Sequence, residues 1–347
     1  MKKEKIFVSA YACEPYKGSE IGVGWNWVLQ MSKDYELWVL TRSNNREIIE
    51  DYFHSHPEDD RGIHFVYYDL PEWILRHKKQ MKGIYIYYPL WMHGARKISN
   101  AVIKENHIHI YHQLTYGNAL WGVNPIVKEM IFIWGPIGGL EVISQEYRKH
   151  YSIRSRLKEM GRHMMVRMIS FSPGFHFRCK HADLILCKTK ATYSYILEKY
   201  RNKALLCTDV AADVQRRDDT SEQGRIRETK QNRECVSFLA VGRLDAWRGF
   251  DLLIEAFHKA SKENENIRLH ILGEGIERER LMKQILNLHM QDVIKLPGAV
   301  SMETYQQKMM ETDVVINVCL KEGGVTTAFD CMVYGKPLIC LDTGGYT

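Results

Sequence analysis

Short apolar runs recur along the chain, and most are followed by a glycine-containing loop and then by apolar positions at helical spacing. That order is the pattern of parallel α/β units. In the first half the runs predict strands at residues 5–10, 36–40, 64–68, 108–112, 131–134 and 184–187; in the second half they predict strands at 236–241, 268–272, 293–296, 314–318 and 337–341. Leu252, Leu253, Ala256, Phe257 and Ala260 repeat at helical spacing and predict the packing face of a helix over 249–262. Residues 213–234 almost lack apolar side chains, so they cannot bury enough surface to offset ordering and read as a charged linker or exposed loop. The expected fold class is α/β, with Rossmann-like doubly wound domains at 1–212 and 235–347 on either side of that stretch. The second is expected to be incomplete, because the sequence stops after a strand and the Gly344-Gly345 turn, before the helix that would close the unit.

Composition narrows the class. With 347 residues, about two domains are expected at roughly 150 residues each. A hydrophobic content of 45% with 26% charged residues excludes disorder, collagen and coiled coil as descriptions of the whole chain. No apolar run approaches the roughly 20 residues that span a bilayer, and the tyrosine-rich stretch 84–92 is too short. The N-terminus passes from charges straight into a strand without a signal-peptide pattern, so a cytoplasmic location is expected. Eight cysteines, none in a C-x-x-C spacing, read as reduced, mostly buried thiols. The formal charge of +6 is small beside that of nucleic-acid binders, and no nucleic acid is expected as a partner.

One segment carries its own charge pattern. Residues 148–180 concentrate Arg148, Lys149, Arg154, Arg156, Lys158, Arg162, Arg167, Arg178 and Lys180, interleaved with Met160, Met164, Met165, Val166, Met168, Ile169 and Phe171. A basic amphipathic helix of this kind can lie on an anionic membrane surface, peripheral to the inner face of the cell membrane. The alternative is a solvated domain helix whose apolar side packs on the first domain.

Candidate chemistry sits in the strand-end loops, where open α/β sheets bind ligands. The first loop carries Gly18-x3-Gly22-x-Gly24, and its glycines either let backbone amides approach an anion at a helix start or only make tight turns. The spacing is not the G-x-G-x-x-G dinucleotide fingerprint, and no acidic residue ends the second strand, which disfavours a nicotinamide oxidoreductase. In the run from His107 to His112, only His112 stands at a C-terminal strand end, as either a ligand-facing or a structural histidine. No carboxylate or cysteine stands nearby in sequence to complete a metal site. The loop from Trp134 to Glu141, with Gly135, Gly138 and Gly139, lines the same cleft or only turns the chain.

Further on, Arg243 and Arg248 flank a helix start, where both can point at one diphosphate. Loops at Gly273-Glu274-Gly275 and at 296–300, which includes Gly298, again follow strands. Last, Gly323 and Gly324 free the backbone to present successive amides to a phosphate or sugar oxygen, ahead of a helix from Ala328. Glu322 and Asp330 are too far apart to meet across one helical turn and read as gripping two ends of a long ligand.

Taken together, Gly242-Arg243-Leu244…Arg248-Gly249, Gly273-Glu274-Gly275 and Glu322-x7-Asp330 followed by Gly335-Lys336-Pro337 resemble the retaining glycosyltransferases of family 4. The opening Ala12-Cys13-Glu14-Pro15…Gly18-Ser19-Glu20…Gly22-Val23-Gly24-Trp25 is similar to a bacterial branch of that family. The resemblance implies the glycosyltransferase B fold, with two Rossmann-like domains facing a cleft. It implies a nucleotide diphosphate sugar as donor, a glycan or lipid-linked acceptor, retention of anomeric configuration, and a role in cell-surface polysaccharide synthesis. Arg243 and Arg248 would neutralise the diphosphate, Arg248 standing where the family usually has lysine. The amides of Gly324, Val325 and Thr326 would hold donor sugar and phosphates, and the loop around Gly298 would meet the base. Glu322 would contact the transferred sugar, and Asp330 would replace the glutamate that binds ribose. Gly18 would approach the donor, and His112 would face the reacting sugar or acceptor. No cofactor and no metal are expected, since the chain has no Asp-x-Asp triplet to hold Mg²⁺. The competing functions are a nucleotide-sugar epimerase or phosphorylase of the same fold, and an inactive nucleotide-sugar binder.

Overall fold

The structure is a computed structural model that describes residues 3–75, 83–121, 129–149, 151, 153–210, 235–321 and 324–343. They fall in two compact units, one within Met1–Glu141 and His163–Ala211, the other within Val142–Arg162 and Ala212–Thr347. The expected linker, 213–234, lies outside the described residues.

The first unit is built on a parallel sheet of seven strands: β1 (Glu4–Ser9), β2 (Tyr35–Thr41), β3 (Ile63–Tyr67), β4 (Ile110–Gln113), β5 (Ile131–Ile137), β6 (Leu184–Cys187) and β7 (Ala204–Leu206). Their order is β3-β2-β1-β4-β5-β6-β7. The apolar runs are continuous because both faces of this sheet are covered. Ile6, Val8, Leu37 and Val39 pack under Trp25, Val28 and Ile49 on one face. Their neighbours Phe7, Trp38 and Leu40 point the other way, toward Tyr88 and Trp91. Those two aromatics belong to the helix Ile84–Glu105, which absorbs the tyrosine-rich stretch into the core. No helix among the described residues is long and apolar enough to cross a membrane. Strand β7 was not expected from the sequence: it is short, and Leu205 and Leu206 are exposed at the sheet edge, so no buried pattern marks it.

The second unit holds β8 (Val236–Val241), β9 (Ile267–Leu272), β10 (Ile294–Gly298), β11 (Val314–Asn317) and β12 (Leu338–Cys340), all parallel, in the order β10-β9-β8-β11-β12. Ala240, Ile271 and Ile316 face the helix Phe250–Glu263, while Leu239 and Val315 face Met309 and Cys331 on the opposite side. That helix falls where the periodicity predicts it, but its buried face is Phe250, Leu253, Ile254 and Phe257. Ala256 and Ala260 are exposed, because the side the helix turns to the sheet is chosen by the larger residues. All eight cysteines are free thiols, five of them buried.

In each sheet the strand order reverses beside a central strand, between β1 and β4 and between β8 and β11. Connections leave those strands in opposite directions, which opens a crevice beyond their carboxyl ends. The loops singled out in the sequence are the ones this topology brings there.

Candidate functional site

In the second unit the strand-end loops are joined backbone to backbone. Gly242 N donates to Leu272 O at 3.0 Å, Leu244 N to Glu274 O at 2.9 Å and Gly273 N to Gly298 O at 2.9 Å. Leu320 N donates to Trp247 O at 3.0 Å, which ties the loop after β11 to the loop after β8. Glycine is required for these approaches. Gly273 has φ +150, and a Cβ on it would overlap the Gly242 carbonyl oxygen. At Gly249, with φ +70, a Cβ would stand 2.5 Å from the Val318 carbonyl oxygen.

Two of the expected cations stand on this rim. Arg243 is mostly exposed, with its guanidinium 3.3 Å from the Asp245 carboxylate. Arg248 lies 4.4 Å over the Trp247 ring and folds back along Gly242, whose missing side chain leaves the space. A cation stacked on an indole is held in place without losing its charge. Trp247 is flanked on its other contacts by Ile143, Tyr151 and Leu320. The segment that contributes Ile143 and Tyr151, 142–162, belongs to this second unit, although it lies within residues 1–212.

Next in the loop after β11 is Lys321, whose amine pairs with the Glu159 carboxylate and lies 5.7 Å from the Trp247 ring centre. Burial, together with Arg162, lowers the Lys321 pKa against the opposing pull of Glu159. Glu322 and Gly323 lie outside the described residues. Gly324 and Val325 lead into the helix Thr326–Tyr334, and Ala328 N and Phe329 N both donate back to the Val325 carbonyl. The positive end of that helix therefore begins at Val325 and Thr326. Asp330 sits in its second turn, where its carboxylate accepts a 2.6 Å hydrogen bond from the Tyr305 hydroxyl. Burial and the Asp330 charge push the Tyr305 pKa up. Gly298, φ +98, faces Glu274, which pairs with Arg278 at 3.5 Å. Beside it, Leu296, Val300 and Thr304 border a cavity of about 470 Å³ that reaches His270 and Lys308.

The first unit presents its own crevice. Gly18 caps the helix Ser19–Met31 in extended backbone, φ −90, which any residue can adopt. Gly22 and Gly24 lie inside that helix and are buried. A Cβ on Gly22 would overlap the Lys17 carbonyl oxygen, and one on Gly24 the Ala12 carbonyl oxygen. These two glycines therefore let the helix press onto the β1 loop, and close packing accounts for them without a ligand. Glu20 accepts from Tyr116 N at 2.7 Å, and Ala12 N donates to Thr115 Oγ1 at 3.1 Å, so the loops after β1 and β4 are locked together.

His112 lies on β4 and is buried, 2% exposed. Its Nε2 is 2.7 Å from the Gly135 carbonyl oxygen, so Nε2 carries the hydrogen and Nδ1 is the basic nitrogen. Burial lowers its pKa to about 4, against the Gly135 bond. The ring is neutral at physiological pH.

Several polar residues beside this crevice escape a reading of the sequence. Buried Glu141 accepts from the Thr189 and Thr192 hydroxyls at 2.7 and 3.0 Å and from Gly139 N at 2.9 Å, which fixes the glycine loop after β5. Lys188 pairs with Asp209 at 2.6 Å; burial opposes its charge, but Asp209, Glu20 and Glu141 outweigh it and raise the pKa. The sole local signal was a charged residue directly after a strand, Lys188, or two positions after a glycine pair, Glu141. Thr189 is 48 positions from Glu141, beyond any spacing rule.

Two parallel sheets, each with its strand-end loops gathered at a switch point, form the α/β architecture of the glycosyltransferase B fold. The crystal structure of Anabaena HepE in complex with UDP and glucose has this arrangement, with a TM-score of 0.59 over 99% of this chain and 82% of that one, at 14% identity. Residues 223–347 match the family model described as Glycosyl transferases group 1, and that part of the chain carries a domain of this family. Among curated proteins, the chain is 25% identical over 168 residues to an uncharacterized glycosyltransferase of Methanocaldococcus jannaschii, 47% of this chain and 40% of that protein. It is 24% identical over 136 residues to the phosphatidylinositol N-acetylglucosaminyltransferase GPI3 subunit of Saccharomyces cerevisiae, 39% of this chain and 29% of that subunit. The chain thus spans less than half the length of these two relatives.

Proposed function

We propose that the protein is a glycosyltransferase that takes a sugar from a nucleotide diphosphate donor and passes it, with retention of anomeric configuration, to a glycan or lipid-linked acceptor in cell-surface polysaccharide synthesis. The observation that carries this reading is the rim at the β8/β11 switch point, with Arg243, the stacked Arg248 and the loop leading to the helix start at Thr326. Two cations, one of them held on an indole ring, and a helix N-terminus stabilise the negative charge that grows on a departing diphosphate. HepE, of the same fold, is described in complex with UDP and glucose, which supports a nucleotide sugar as the donor. The cavity beside Leu296 and Val300 supports the loop around Gly298 as the neighbour of the base.

In the reaction, the bond from the anomeric carbon to the diphosphate oxygen breaks, and the acceptor oxygen bonds to that carbon on the face the nucleotide leaves. The acceptor proton passes to the departing diphosphate oxygen. The arginines carry the charge, so the step is proposed to need no divalent cation. Glu322 is proposed to position the sugar. Asp330, which accepts from the Tyr305 hydroxyl, is proposed to stand beside the ribose. Gly18 and His112 belong to the first unit's crevice; the buried His112 is proposed to act by holding the Gly135 loop.

A thermal-shift screen over nucleoside diphosphates and their sugars tests the reading, because a ligand of the native state raises stability by mass action. One diphosphate should raise the melting temperature, and the shift should vanish in Arg248→Ala. No shift with any of them removes the reading. With the stabilising donor in hand, conversion of the sugar carried by the nucleotide, without acceptor, marks an epimerase, and binding without turnover over a broad acceptor panel marks an inactive binder. Arg243→Ala is expected to lower the transfer rate about a hundredfold.

A further inference from the structure

The helix Ile153–Arg167 and the short turn Ile169–Phe171 after it carry the most exposed apolar side chains of the basic segment. Ile153 is 81% exposed, Met164 66% and Phe171 79%; Leu157, Met160 and Met168 are also exposed. Positions 153, 157, 160, 164 and 168 follow one another at steps of four and three, so they form a single stripe along the helix. Glu159 and Val166, seven positions apart, are buried on the roughly opposite side. The apolar stripe is thus the face turned to solvent, while Val166 and Ile169 of the same segment are buried in the first unit's core.

Charge completes the pattern. Arg156 and Arg167 are exposed along one flank of the stripe and Lys158 on the other. Glu159 is the sole acidic residue between 153 and 171, and it is turned inward against Lys321. The outward surface is therefore apolar and cationic throughout. A second copy of the chain seated here would bring arginine against arginine, whereas an anionic lipid surface answers both features at once. Methionine suits such a surface because its unbranched, polarizable chain adapts to irregular neighbours.

We propose that this stripe docks the protein on an anionic bilayer, the apolar side chains entering the headgroup boundary and the basic flanks lying among the phosphates. The proposal stands apart from the transfer reading, since vesicle binding is measured without a sugar donor and either can fail alone.

Co-sedimentation of the full chain with phosphatidylcholine vesicles, with and without phosphatidylglycerol, tests it. Binding is expected with phosphatidylglycerol at low salt, and is expected to weaken as sodium chloride is raised. Each basic side chain near such a surface strengthens partitioning by about fivefold, so the Arg156→Gln/Arg167→Gln variant should lose roughly tenfold or more. A Met160→Ser/Met164→Ser/Met168→Ser variant should lose at least about tenfold as well, through the apolar contribution. Because every substituted side chain is exposed, melting temperature and nucleoside diphosphate binding should stay unchanged. No sedimentation with anionic vesicles at low salt overturns the proposal, as does sedimentation that neither variant weakens. A concentration-dependent dimer abolished by the methionine variant, without vesicle binding, assigns the stripe to a second copy and also overturns it.

Discussion

His112 shows how one buried ring couples the site to pH. Its pKa of about 4 in the fold lies below the ordinary 6.5, so the unfolded chain takes up the proton first as pH falls. The stability it contributes is complete above about pH 6.5 and drains as pH falls toward 4, amounting to about 3 kcal/mol. Urea unfolding near neutrality and near about pH 4.5 should show wild type losing more stability on acidification than His112→Asn; equal losses would show that the ring is not sheltered. Gly273→Ala should cost about 2–4 kcal/mol, since the new Cβ meets the Gly242 carbonyl in a backbone conformation that L residues avoid. A urea midpoint unchanged within error would contradict that close approach. At this scale the sequence marked the correct positions but not their tasks. Gly22, Gly24 and Gly273 all stand in strand-end motifs, yet each is explained by a neighbouring carbonyl, and no local pattern names the residue that will supply it.

Among the elements, the loop after β11 depends on the pair Lys321–Glu159, which joins it to the helix Ile153–Arg167. Both side chains are about nine-tenths buried, so removing one partner strands the other charge. Lys321→Met and Glu159→Gln should each destabilise by about 3 kcal/mol, and the double variant by clearly less than their sum. Strict additivity in a double-mutant cycle would mean that the two do not interact. Most strands were legible: β6 and β8 match their expected ranges, because both are bounded apolar runs. Strand β7 was not, because an exposed edge of three residues leaves no burial pattern to read.

For the whole molecule, a donor bound at the second unit's rim should leave a local signature. Hydrogen exchange with a stabilising nucleoside diphosphate should slow the amides of 243–248 and 324–326 and leave those of β1, β2 and β3 unchanged. Protection confined to the first unit would move the donor site there. The chain's own residue order determined that there would be two parallel α/β sheets and which loops would carry cations and glycines, because apolar runs and turn residues act on near neighbours. The strand orders, the inward Asp330–Tyr305 and Glu159–Lys321 pairs, and the outward stripe from Ile153 to Phe171 were decided by the tertiary structure alone. An amphipathic helix has two faces that periodicity can identify, but which of them meets solvent depends on what packs against it from elsewhere in the chain.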